Sequence, residues 1–202
     1  MIYDFLVDTY STEIEKVLSV WAMFDDDDLV VRPHPTDPRG RNLLEQMVHQ
    51  CVSENLWFST MLGIHVTDNP LPSVETRLPF MATYARDAQM REAILATKPD
   101  GWWAETVPFF EVKRSRAWIL TRRIAHTAHH RGQQTTLLRM INRPLHSTYG
   151  PTSDTGGLMQ NHAPVIYPYA DSATLLTEES GHRRKACLPG PGDHAPTERG
   201  RG

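Results

Sequence analysis

Residues 125–140, AHTAHHRGQQTTLLRM, place three histidines within five positions. At 100° per residue, His126 and His130 differ by about 40° around a helix and stack one turn apart. A neutral imidazole is a good ligand for a divalent cation, and this spacing lets two rings meet one ion. Without an ion, buried rings lacking partners are costly, and neighbours repel when both are protonated. Ile119, Gln133, Leu137 and Ile141 lie on the same stripe, so the pattern predicts a core-facing face with imidazoles at its centre. His129 falls about 60° to the other side of His126, either exposed or in contact with the ligands from behind. Arg131 lies about 140° from His126, on another face, which favours an ion pair. Gly132 costs a helix about 1 kcal/mol relative to alanine and is read as permitting close helix approach.

A bundle core supplies further ligands from facing helices. His49 is the histidine in the middle of another helical stretch; His34 and His65 fall in loops, and His146, His162, His182 and His194 lie beyond the helices. His49, His126 and His130, with a fourth position left for water or substrate, make the ligand set of a catalytic metal site. Glu45, one turn before His49, is the candidate base or metal-supporting carboxylate, with a solvated surface position as the alternative. Gln133, one turn beyond His130, is read either as orienting water or substrate or as a core hydrogen-bonding residue. Imidazole suits zinc, nickel, copper and iron alike, so spacing does not select the metal.

The elements that must position these residues are helices. Phe5, Leu6, Ile14, Val17, Leu18 and Trp21 mark an apolar face over about Ile2 to Phe24, and DDDD at 25–28 ends it as a solvated turn. NLLEQMVHQCVSENLWFSTML predicts a second helix, with Asn42 as N-cap and Gly63 just past its end. A third starts near Pro79 and stops before Pro99; DGWWAETVPFFEV reads as irregular or weakly extended; the fourth runs from about Lys113 to Asn142. The fold class expected is all-α, a four-helix bundle over 1–145 with an irregular C-terminal extension over 146–172. Positions 144–202 hold seven of the fifteen prolines and eight of the twelve glycines, and 173–202 is expected to be a disordered tail.

The 202-residue chain is 40% hydrophobic with a net charge of −3, which gives no general attraction to nucleic acid or to an anionic membrane. No apolar stretch approaches a membrane span, and the N-terminal stretch lacks a basic region followed by an apolar run. Cys51 and Cys187 are too few for a disulfide framework, so a cytoplasmic protein is expected.

Four stretches carry a family resemblance. HTAHHRGQ resembles the H-x-x-x-H-R-G-Q signature of the DinB/YfiT-like family; LVVRPHP precedes the second helix as that family's R-P-x-P does. LLEQMVHQCVSENLW places His49 where the family's second-helix histidine sits, and LLRMINRPLHSTYGP follows the signature as its chains commonly continue. The resemblance covers roughly residues 1–170 and maps the family's metal ligands to His49, His126 and His130. It implies one divalent metal ion, zinc or nickel foremost, and a homodimer. The activity it implies is transfer of a small-molecule thiol such as bacillithiol, mycothiol or glutathione to an electrophilic substrate. Metal-dependent hydrolysis and a non-catalytic metal-containing sensor or binding module are the alternatives.

Overall fold

Apolar residues at helical spacing form α1 over Asp4–Ala22, whose buried face includes Leu6, Tyr10, Ile14, Val17, Leu18 and Trp21, while Phe5 points outward. The chain is described here by a computed structural model covering residues 2–195 and 197. Helix α2 spans Leu43–Thr60, α3 Arg77–Leu95 and α5 Arg116–Met140. Helix α1 packs against α3 and α5, and α2 packs against the same two, which closes a four-helix bundle. Its core holds Trp21, Phe24, Leu43, Met47, Phe58, Phe80, Leu120 and Leu138, all fully buried.

The start of α2 follows from local chemistry. The Glu45 backbone N–H donates to Asn42 Oδ1 at 2.8 Å, and the Asn42 N–H donates back to Glu45 Oε2 at 2.9 Å. This reciprocal box satisfies two of the donors that a helix N-terminus leaves unpaired. Gly63, at φ +68°, lets the chain leave the helix in a left-handed conformation.

The stretch between α3 and α5, expected to be irregular or weakly extended, is ordered as a short helix α4, Asp100–Ala104, and a hairpin. Strand β1, Thr106–Phe109, pairs antiparallel with β2, Val112–Ser115, in the register Thr106↔Ser115 to Phe109↔Val112. The hairpin delivers Ser115, whose side chain accepts from the Trp118 N–H at 3.2 Å and caps α5.

Two expectations are corrected by the structure. Residues 173–180, placed in a disordered tail by composition, join Ser172 in α6, Ser172–Ser180, which packs on α1 and α3 and buries Leu175 and Glu179. Glu179 Oε2 lies 2.7 Å from the buried Arg77 guanidinium on α3, and the Tyr169 hydroxyl donates to Glu179 Oε1 at 2.6 Å. The part of the tail expectation on Pro196 and 198–202 lies outside the described residues. DDDD is solvated only in part: Asp26 and Asp27 are exposed, while Asp28 is buried and Asp25 partly so. Asp25 pairs with Arg143 and Arg183, Asp28 takes Arg143 Nε at 2.9 Å, and Asp26 Oδ1 accepts the Arg77 N–H at 3.1 Å. Among the described residues, no helix is long and apolar enough to cross a membrane.

Candidate metal centre

Helix α5 does not turn its histidine stripe straight into the core. Its buried face is Ile119, Leu120, Arg123, Thr127, His130, Arg131, Gln134, Leu137 and Leu138. His126 therefore sits at the edge of the buried face, half-buried, and Gln133 is exposed; the expected centre of the stripe is its border. This rotation follows from Arg123 and Arg131, whose heads find carboxylates inside the bundle: Glu54 for Arg123, and Glu13 for Arg131. Gly132 meets nothing within 4 Å of where a Cβ would stand, so the expected close helix approach does not occur there.

Across from this border, α2 presents His49, also half-buried. One ring nitrogen from each of His49, His126 and His130 lies within 4.8 Å of the others, a group able to hold one metal ion. The Nε2 atoms of His126 and His130 are 3.3 Å apart. Two nitrogens bound tetrahedrally at about 2.0–2.1 Å stand about 3.3–3.4 Å from each other, so this pair already has the spacing of two ligands. His49 stands edge-on to both, with ring centroids 5.4 Å from His126 and 4.7 Å from His130.

Hydrogen bonds fix which nitrogen carries each proton. His130 Nδ1 lies 2.9 Å from Gln133 Oε1; an amide oxygen only accepts, so His130 donates through Nδ1 and keeps a lone pair on Nε2. Gln133 in turn donates from its amide to His129 Nε2 at 3.1 Å. Gln133 thus orients a candidate ligand from behind, and the exposed His129 completes the relay. On the other ring, Arg123 Nη1 donates to His126 Nδ1 at 3.3 Å. The ring proton of neutral His126 is then on Nε2, facing His130 Nε2; to offer Nε2 to an ion this ring would carry its proton on Nδ1 instead, and the Arg123 contact there would have to be given up.

All three candidate ligands are held towards the neutral form that metals require. Burial lowers the pKa of His126 to about 3, helped by the Arg123 charge and the neighbouring imidazoles. Burial likewise lowers His130 to about 4, opposed by its bond to Gln133. His49 is lowered by burial and then by Arg41 and Arg123.

Glu45 lies on the same helix as His49, but both carboxylate oxygens are engaged. One accepts Arg32 Nη2 at 2.5 Å and the other closes the α2 box, and the Arg32 bond is the main cause of its lowered pKa. The open pocket of about 450 Å³ at the histidines is lined by Arg41, His49, Arg122, His126, His129 and His130, with no carboxylate among them.

Arg123 and Glu54 are features that sequence reasoning passed over. Glu54, fully buried on α2, accepts from the Tyr10 hydroxyl at 2.7 Å, the Tyr84 hydroxyl at 2.9 Å, Arg91 Nη1 at 3.3 Å and Arg123 Nε at 3.3 Å. Four helices meet on that one carboxylate. Burial, then the Glu54 charge, raises both tyrosine pKa values well above the ordinary range. The signal was present: Met47, Cys51, Glu54 and Phe58 recur at helical spacing on one buried face, with an acid among them. Trp57 stacks on the His126 ring at 5.9 Å and contacts Phe109 of the hairpin at 5.3 Å, so the hairpin aromatics reach the site through Trp57.

The sequence profile of the DinB family matches residues 8–156. The fold is similar to that of a DinB-like protein from Bacillus cereus, with a TM-score of 0.60 and 20% identity over 71% of this chain and 95% of that one. A DinB-like protein from Bacillus subtilis gives a TM-score of 0.52 and 13% identity over 68% of this chain and 92% of its own. Among curated proteins, none matches the chain.

Proposed function

The chain belongs to the DinB family, and from that premise we propose that it is a metal-dependent enzyme transferring a small-molecule thiol to an electrophilic substrate at His49, His126 and His130. The observation that carries this reading is the donor set, three converging neutral imidazoles in an open pocket without a carboxylate. A divalent ion in that set, zinc or nickel as the family resemblance implies, would lower the pKa of a thiol or water completing its coordination.

The protein's own residues supply the remainder. His130 is held in its Nδ1–H form by Gln133, and His126 is fixed between Arg123 and the stacked Trp57. The thiol S–H proton leaves to solvent through the open pocket, the sulfur lone pair forms the new bond to the electrophilic carbon, and the leaving group departs with the electrons of the broken bond. A thiolate is itself the nucleophile and needs no further base. Hydrolysis does call for a base beside the attacking water. Glu45, the sequence candidate for that role, serves α2 and Arg32 instead, which favours thiol transfer over hydrolysis. Gln133 enters as a positioning residue. A homodimer is part of the reading, supported by the exposed Phe110, Val112 and Trp118 on the hairpin and the start of α5.

The test begins with the metal content of the untagged protein beside His49→Ala and His126→Ala, followed by turnover of small thiols with an aryl halide. About one ion per chain, absent from both variants, with thiol consumption that follows the metal, supports the reading. Bound metal with no turnover of thiol or ester substrates would instead make the chain a metal-containing binding module.

A further inference from the structure

Most described arginines in this chain are ion-paired, including Arg91, Arg116, Arg123, Arg131, Arg139 and Arg143. Arg41, Arg114 and Arg122 are the exceptions among the described residues, and Arg114 rests on the Trp118 ring and a backbone carbonyl. The other two line the histidine pocket. Arg41 directly precedes the α2 N-cap and Arg122 lies on α5, so each guanidinium comes from beside or within a helix that supplies a histidine.

From this arrangement we infer that Arg41 and Arg122 form a carboxylate-binding subsite, and that the substrate bound at the three histidines carries a carboxylate beside its metal-binding atom. The inference rests on the metal reading above and names the substrate class for that site. Three neutral imidazoles cancel none of a divalent ion's charge, and no acid lines the pocket. The loaded pocket therefore holds two guanidinium charges and two metal charges, and a ligand bringing one anionic donor atom leaves the guanidiniums unanswered. A second anionic group answers them, and the planar guanidinium fork fits a carboxylate through paired charge-assisted hydrogen bonds.

Phosphate is the weaker match. Phosphate sites usually draw on backbone N–H groups at a helix start, and at α2 the Asn42–Glu45 box already takes two of these. The organic remainder of the ligand has room in the adjoining groove along α2, of about 630 Å³, where Leu44, Val48, Val52 and Leu56 continue from the wall formed by Arg41 and His49. The acids in that groove are Glu45, held by Arg32, and the exposed Glu75.

Cobalt(II)-loaded protein tests the subsite without relying on turnover. Titration with 3-mercaptopropionate and with the uncharged 2-mercaptoethanol is followed by the sulfur-to-cobalt charge-transfer absorption. The wild-type protein should prefer the carboxylate-bearing thiol at least about tenfold more than an Arg41→Ala/Arg122→Ala variant does, the worth of one charge-assisted hydrogen bond. Both positions are exposed, and an unchanged cobalt d–d spectrum and melting curve in the variant certify its fold and metal site. The same preference in wild type and variant overturns the subsite while leaving the metal reading intact. Absence of a cobalt spectrum in the wild type, or its persistence in His126→Ala, overturns the metal reading, and the subsite with it.

Discussion

Two polar assemblies lie side by side where α2 faces α5, and they are built on opposite rules. Around Glu54 every neighbour is a donor and the centre is an acceptor: two tyrosine hydroxyls and two guanidiniums converge on one fully buried carboxylate. Around His49, His126 and His130 the converging atoms are alike, ring nitrogens facing ring nitrogens, and one proton is all that stands between the closest two. The first assembly is complete within the chain. The second is left open, a group that could hold one cation. Arg123 belongs to both, giving Nε to Glu54 and Nη1 to His126, so the closed cluster fixes the position of the open one.

The contrast can be broken most forcefully at Glu54. Glu54→Ala strands two buried guanidiniums and should cost about 3–5 kcal/mol of folding stability, read from urea unfolding. Any of the three histidine-to-alanine changes, made in metal-free protein, should stay within about 1 kcal/mol. Equal losses at both places would show that the histidine cluster also serves to hold the fold. Next comes Gln133→Ala, which removes the acceptor that holds His130 in its Nδ1–H form. Metal affinity should weaken by about 10–100-fold in a competition titration against a coloured chelator, with little change in melting temperature. An unchanged affinity would separate Gln133 from the site.

A pH dependence also belongs to the histidine assembly. Its folded pKa values lie below the ordinary 6.5, about 3 for His126 and about 4 for His130. Between those limits the unfolded chain binds protons that the folded chain refuses, so metal-free stability falls as pH drops from about 6.5 towards 4 and is recovered above 7. His126→Ala should flatten part of that slope in thermal melts at pH 4.5 and 7. An identical slope in variant and wild type would place the titration elsewhere.

The bundle and the three histidines were legible in the sequence because each leaves a local periodic mark. The Asn42 cap, the apolar face of α1 and the i, i+4 pair His126–His130 need only neighbouring residues to be recognised. Glu54 and Arg123 were harder to read because a buried charge is permitted only by partners distant in sequence: Tyr10, Tyr84 and Arg91. The hairpin was missed for a local reason, since its turn places Phe110 at φ +50° where glycine or asparagine would have announced it. Helix α6 was missed because the proline- and glycine-rich composition around it outweighed nine residues, SATLLTEES, whose Asp171 cap accepts from the Thr174 N–H at 2.7 Å. Glu45 shows the limit of helical geometry, which put a carboxylate one turn from His49 but could not show that Arg32 would claim it.

The docking of α6 has a consequence for how the chain is completed on the ribosome. Arg77 is synthesised with α3 and is nearly inaccessible in the finished fold, yet its closest carboxylate, Glu179, is translated long afterwards. A nascent chain that has closed its four main helices still carries that cation without its main counter-charge, with Asp26 as the nearest substitute. Docking of α6 therefore completes a buried pairing that the four main helices by themselves leave open.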